Sequence, residues 1–144
     1  MNKKGFTVVE LLAVIAIIGI LAGVAIISVD VYLNKAKKQA FDNIFDTTYD
    51  AAINYLMTHP SEADKIKAGT SIDIKTADLV SEGFMEEPMD PSNKNVSCLE
   101  GSSSGANYVS VTGSTSSLDK LDQYTYHIYV KCGDKTAAKT YPKE

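Results

Sequence analysis

Lys3-Lys4-Gly5-Phe6-Thr7-Val8-Val9-Glu10-Leu11-Leu12 decides the fold, because it opens a run from Leu11 to Ile27 that contains no charged residue. An apolar run of this length can cross a bilayer as a helix. Glu10 stands at its head, where a carboxylate needs a reason, since ionisable groups inside a membrane are costly and are kept for a partner or a function. The plain alternative is that Glu10 sits near enough to the headgroups to reach water and favours the positive end of the helix dipole. Gly19 and Gly23, with Ala22 beside them, form a GxxxG spacing. Such small residues let membrane helices approach closely, although apolar helices also contain such pairs by chance.

These residues resemble the N-terminus of type IV pilins and their relatives, the pseudopilins. The matching text is Lys3-Lys4-Gly5, then Phe6-Thr7-Val8-Val9-Glu10-Leu11-Leu12, then an apolar helix rich in Ala, Ile and Gly; it covers about the first 30 residues. The resemblance implies that a prepilin peptidase cuts between Gly5 and Phe6 and that Phe6 is then N-methylated. It further implies that Glu10 meets the N-terminal amine of Phe6 on a neighbouring subunit during assembly. The implied partners are other copies of the chain in a helical filament, the peptidase, and a membrane assembly platform with its ATPase. The subunit is then expected as a single-pass protein of the bacterial cytoplasmic membrane, head outside, before assembly, and in an extracellular surface filament afterwards. Many members of the family carry a proline about two-thirds along the apolar helix, where this chain has Ile27. Proline kinks a helix, so Ile27 implies a more continuous one.

An ordinary secretory signal peptide is the chief rival, with Lys3 and Lys4 as its basic region and Gly23 and Ala25 as its cleavage site. A glutamate rarely opens such a core, and the apolar run exceeds the usual length of about 7–15 residues. Charge does not settle orientation, because Lys35, Lys37 and Lys38 follow the run as Lys3 and Lys4 precede it.

The chain has 144 residues, enough for one modest domain and an anchor. It has 14 basic and 18 acidic residues, a net charge of −4, and every basic residue is lysine. An acidic chain without arginine is a poor general binder of phosphate backbones, so no nucleic acid is expected as partner.

From Leu33 to Leu56 there is no glycine or proline, and apolar residues recur at helical spacing. One stripe runs Leu33, Ala36, Ala40, Ile44, Ala51, Tyr55 and an adjacent one Phe41, Phe45, Ala52, Leu56, the wide apolar face of a helix packed on a core. Lys38, Asp42, Asp46 and Asp50 lie on the opposite side at four-residue intervals. They form either a solvated face or a row that meets Lys35 or Lys37 of a staggered neighbour. Pro60 ends the helix after His59. Residues 6–59 therefore read as one long helix of about 80 Å at 1.5 Å per residue. Residues 1–5 are the leader, about 6–29 the membrane or filament-core half, and 30–59 the amphipathic half.

Residues 60–144 form the head. Ser61-Glu62-Ala63-Asp64 reads as the capped start of a short helix, Ser71 to Lys75 as a strand, and Thr76 as the cap of a helix running to Glu82 and closed by Gly83. The segment Leu79-Val80-Ser81-Glu82-Gly83-Phe84 with Pro88, Asp90 and Pro91 resembles the connector that precedes the sheet in pilins and pseudopilins. Strands are expected at Asn95–Leu99, Tyr108–Thr112 and Tyr124–Cys132, the last with Tyr124, Tyr126, Ile128, Val130 and Cys132 on one face. The fold class is α+β: a long N-terminal helix packed on a small antiparallel sheet. In an exported head of this size, Cys98 and Cys132 read as one disulfide, against two unpaired buried thiols. Many type IV pilins staple the C-terminal part of the head in this way, which favours the pairing.

Catalytic readings are weak. Gly101-Ser102-Ser103-Ser104-Gly105 matches G-x-S-x-G, but in a serine-rich loop rather than between strand and helix. His59 and His127 are isolated from other metal-ligating residues. Asp90, Asn93 and Asn95 supply oxygens within one loop without EF-hand spacing, and read as a solvated turn. No enzyme, metal or cofactor is expected. The reading is a structural pilus subunit. Its alternatives are a pseudopilin of a secretion or DNA-uptake system, and a solitary anchored or secreted surface-binding protein.

Overall fold

The structure is a computed structural model that describes residues 5–66, 70–99, 107–113 and 124–142. The elements run α1 (Val8–Thr58), α2 (Pro60–Ile66), β1 (Ser71–Lys75), α3 (Thr76–Ser81), β2 (Met89–Asp90), β3 (Asn93–Ser97), β4 (Tyr108–Thr112), β5 (Thr125–Cys132) and β6 (Lys135–Tyr141). The chain divides into two compact units, Met1–Lys38 and Gln39–Glu144, so the division falls within α1.

In the first unit the helix carries its apolar side chains outward. Val8 is 74% and Ile20 70% exposed, and Leu11, Ile15, Leu21, Val24 and Val31 are exposed as well. The backbone stays helical through position 27, as expected without a proline there.

In the second unit, four strands form an antiparallel sheet in the order β1-β4-β5-β6, and β2 pairs with β3 in a separate two-stranded ribbon. Alternation sorts the sheet's faces. Val109 lies opposite Ile74 and Ile128, and Val111 opposite Ile72 and Tyr126, so one face is apolar. That face and Ile44, Phe45, Ala51, Ala52 and Leu56 of α1 belong to one buried cluster. Tyr49 joins it from the helix, edge-on to Tyr126 at 5.0 Å and stacked on Tyr141 at 4.7 Å. The fold class is the one expected, an α+β head on a long helix. The helical stripe buries less than its period promised, for Leu33, Ala36 and Ala40 are exposed and burial begins at Ile44.

The last strand, β6, was not anticipated. Its text, Lys-Thr-Ala-Ala-Lys-Thr-Tyr, lacks the β-branched alternation of a core strand. It is held by a two-residue hairpin loop, Gly133-Asp134, with Gly133 at φ 56° and Cys132 opposite Lys135. It also modifies the solvated reading of the aspartate row at two positions, while Asp50 stays exposed. Lys139 Nζ donates to Asp42 Oδ1 at 2.6 Å and lies 4.9 Å from the Phe45 ring centre, and the Tyr141 hydroxyl donates to Asp46. A cation that meets Asp42 thus comes from the same chain.

Smaller corrections concern caps. α2 begins at Pro60 rather than being capped by Ser61: proline suits a first helical position, and the His59 carbonyl accepts from Glu62 N at 3.0 Å. Thr76 is the first residue of α3 rather than its cap, and its buried hydroxyl has no hydrogen-bond partner among the described residues. Gly83, at φ 79°, closes α3 as expected: Phe84 N donates to Leu79 O at 2.9 Å and Gly83 N to Val80 O at 3.1 Å, a Schellman pair. The strand expected at Asn95–Leu99 lies at Asn93–Ser97.

Cys98 and Cys132 are joined by a disulfide. Asn107, buried, secures the same corner: its side-chain amide donates to the carbonyls of Cys98 and Lys131, and its Oδ1 accepts from Lys131 N. Cys98 N donates to Pro88 O at 2.8 Å, which ties the connector to the same point.

Candidate processing and assembly site

Gly5 and Phe6 precede α1, and both are exposed, Phe6 at 85%. Thr7 and Glu10 then form a reciprocal cap. Thr7 N–H donates to Glu10 Oε2 at 2.8 Å, the Thr7 hydroxyl donates to the same oxygen at 3.0 Å, and Glu10 N–H donates to Thr7 Oγ1 at 3.3 Å. The first N–H groups of a helix have no partner within it, and a Thr-x-x-Glu box satisfies them from both sides. The signal is present in the sequence as Thr7-Val8-Val9-Glu10, the spacing of a capping box. Among the described residues only Oε2 of Glu10 is engaged.

Gly19 and Gly23 lie on the same exposed helix, and a Cβ added at either would meet no atom within 4 Å. The apolar helix is long and apolar enough to cross a membrane.

The other candidates of the sequence fall elsewhere. His59 stacks on Tyr55 at 4.2 Å, with Nε2 3.3 Å from Glu82 Oε2; His127 lies on the outer face of the sheet, with Nδ1 2.9 Å from Thr140 Oγ1. Asp90 and Asn93 accept from the backbone N–H groups of Ser92 and Asn95, closing local turns. Among the described residues no three His, Cys, Asp or Glu gather as a metal site. The Gly101–Gly105 match lies outside the described residues. A groove of about 330 Å³ between α1 and the connector is lined by Ala40, Ile44, Thr47, Met85, Glu87 and Pro88, among others.

Electrostatics in the head centre on Tyr141. Burial, then its hydrogen bond to Asp46, then the charges of Asp46, Asp42 and Asp50 hold its phenol well above the ordinary tyrosine range.

Residues 1–26 match the family model described as the prokaryotic N-terminal methylation motif, the mark of type IV pilins and pseudopilins. No curated protein and no solved structure matches the chain significantly. The protein is thus type IV pilin-like in its N-terminal region, and the motif implies prepilin-peptidase processing and assembly. Proteins of this kind are generally structural rather than catalytic, with a membrane or surface location.

Proposed function

We propose that this chain is a structural subunit of a type IV pilus, cut between Gly5 and Phe6, N-methylated on Phe6, and polymerised through α1. One observation carries the reading: Glu10 is anchored at the head of a helix whose apolar side chains, among the described residues of its first half, are exposed. Such a surface is unfavourable in water at about 25 cal/mol per Å², so it must lie in lipid or against equivalent helices. A membrane holds the subunit before assembly; a helical filament of copies holds it afterwards, built by a membrane platform and its ATPase. In the filament Glu10 accepts the amine of Phe6 on an adjacent subunit through the oxygen its cap leaves over, and Gly19 and Gly23 let helices approach. The disulfide-closed head supports a surface pilus over a pseudopilus, whose N-terminal text is the same.

Mass spectrometry of the mature N-terminus tests processing: a chain beginning at N-methylated Phe6 is expected, and a start after Ala25 would refute the reading. Assembly is tested with Glu10→Gln, since glutamine still caps a helix but carries no charge. It should be processed and inserted, with filament yield falling as far as is expected of Glu10→Ala. Wild-type yield from Glu10→Gln would remove the ionic role.

A further inference from the structure

The sheet's outer face, turned away from α1, is unlike a face left to solvent by default. In register across it stand Lys75, Tyr108, Tyr129 and Ala138, one from each strand. Tyr108 and Tyr129 stack with ring centres 4.6 Å apart and planes 21° from parallel. That distance is close to the spacing of neighbouring strands, so the rings face each other across the strands. One face of Tyr129 is therefore covered by Tyr108, and the other looks toward the position of Ala138. Ala138 is exposed and offers only a methyl group, and β6 is the sheet's edge. Among the described residues a third place in the stack is thus open, floored by Ala138 and bounded by the Tyr129 ring, which is 36% exposed.

The groups around this place are polar and short. Thr136 and Thr140 flank Ala138 on the same face, and His127 lies opposite Thr140 with its Nδ1 beside the threonine hydroxyl. Ser110 lies opposite His127, and Lys131 opposite Thr136. Among the described residues the outer face has no large aliphatic side chain, so it lacks the apolar centre of a protein interface. Its charges are mixed, Asp73 with Lys75 and Lys131, so it gives no continuous basic track for a nucleic-acid backbone.

We propose that Tyr129, with Ala138, Thr136, Thr140 and His127, forms a saccharide-binding subsite at the edge of the head. A pyranose ring presents a C–H face that packs on an aromatic face, while its equatorial hydroxyls spread sideways toward hydrogen-bond partners. The open place offers that combination: one flat aromatic wall, a small floor, and hydroxyl and imidazole groups on either side. Further sugars run past β6 into solvent without meeting another strand. A lone stacked subsite binds weakly, in the millimolar range; many copies on one filament raise the avidity.

The test is an NMR titration of the full chain in detergent micelles, with ring-labelled tyrosine, against cellopentaose, chitopentaose and, as a contrast, a thymidine decanucleotide. The chain is unassembled, so the result is independent of whether it polymerises. At least one of the two saccharides should shift the Tyr129 ring signals at millimolar concentration. Ala138→Phe, an exposed edge substitution that fills the third place, should weaken that binding at least tenfold while leaving the buried Tyr126 signal unchanged. No saccharide-induced shift at Tyr129 overturns the proposal, because the stack is then only a cross-strand pair that steadies the sheet. A shift with the oligonucleotide alone, or binding by Ala138→Phe within twofold of wild type, overturns it as well.

Discussion

Replacing Tyr141 with phenylalanine removes one hydroxyl and leaves the ring where it stacks on Tyr49 at 4.7 Å. The hydroxyl donates to Asp46, and hydrogen bonds to charged groups are worth about 1.5–3 kcal/mol. Asp46 is only half-buried and can recover water when the phenol is gone, so the expected cost is at the lower end, about 1–2 kcal/mol at pH 7. The pH dependence gives a second, independent signature. An unfolded tyrosine titrates near about 10, and the folded value of Tyr141 is raised by burial and by Asp46. The stabilisation is therefore full below about 10 and is lost as pH rises toward the folded value, because the unfolded chain then gives up the proton first. Phenylalanine has no such term. The gap between wild type and Tyr141→Phe should be full at pH 7 and narrow above about pH 10. Tyr55, also raised by burial and by Glu82, is common to both chains and cancels. Urea unfolding of the detergent-solubilised full chain, followed by near-ultraviolet circular dichroism of tyrosine, measures both quantities. Equal stability at pH 7, or a gap that stays constant above pH 10, would refute the reasoning.

Paired Cys98→Ala and Cys132→Ala substitutions open a loop with a sequence separation of 34; they should cost roughly 3.5–4 kcal/mol in the chain-entropy treatment, seen as a lower urea midpoint than in the oxidised parent. Gly113→Ala drives a Cβ into the Ile66 carbonyl oxygen and places it 3.1 Å from Ile66 Cγ2. Backbone at the end of α2 must then move, for about 1–3 kcal/mol, and a melting temperature equal to that of wild type would contradict this close approach.

Where the sequence carried strong periodicity, it was legible. The apolar run, the alternation in β4 and β5, and the Gly83 stop each follow from a pattern with a period or a required backbone angle. The disulfide followed from there being two cysteines. β6 was not legible from composition, because its core-facing side includes Lys139, which reads as solvent-exposed until Asp42 is known to lie beneath it. Its turn, Gly133-Asp134, was the available signal. The Thr7–Glu10 box was equally available. Asn107 was beyond reach, since nothing local says that a single asparagine will bridge Cys98 and Lys131. The open place beside Tyr129 depends on register across three strands, which alternation within one strand cannot supply.

The contacts of Asp42 with Lys139 and of Asp46 with Tyr141 join residues 97 and 95 positions apart. Order of arrival follows from that separation. In a chain made amino end first, the aspartates of α1 are present long before the strand that meets two of them. Contacts so distant in sequence are slow to form, since the intervening loop must close first. The head therefore closes on α1 only once β6 has been made, and a chain that stops short of Tyr141 leaves Asp42 and Asp46 without these two contacts.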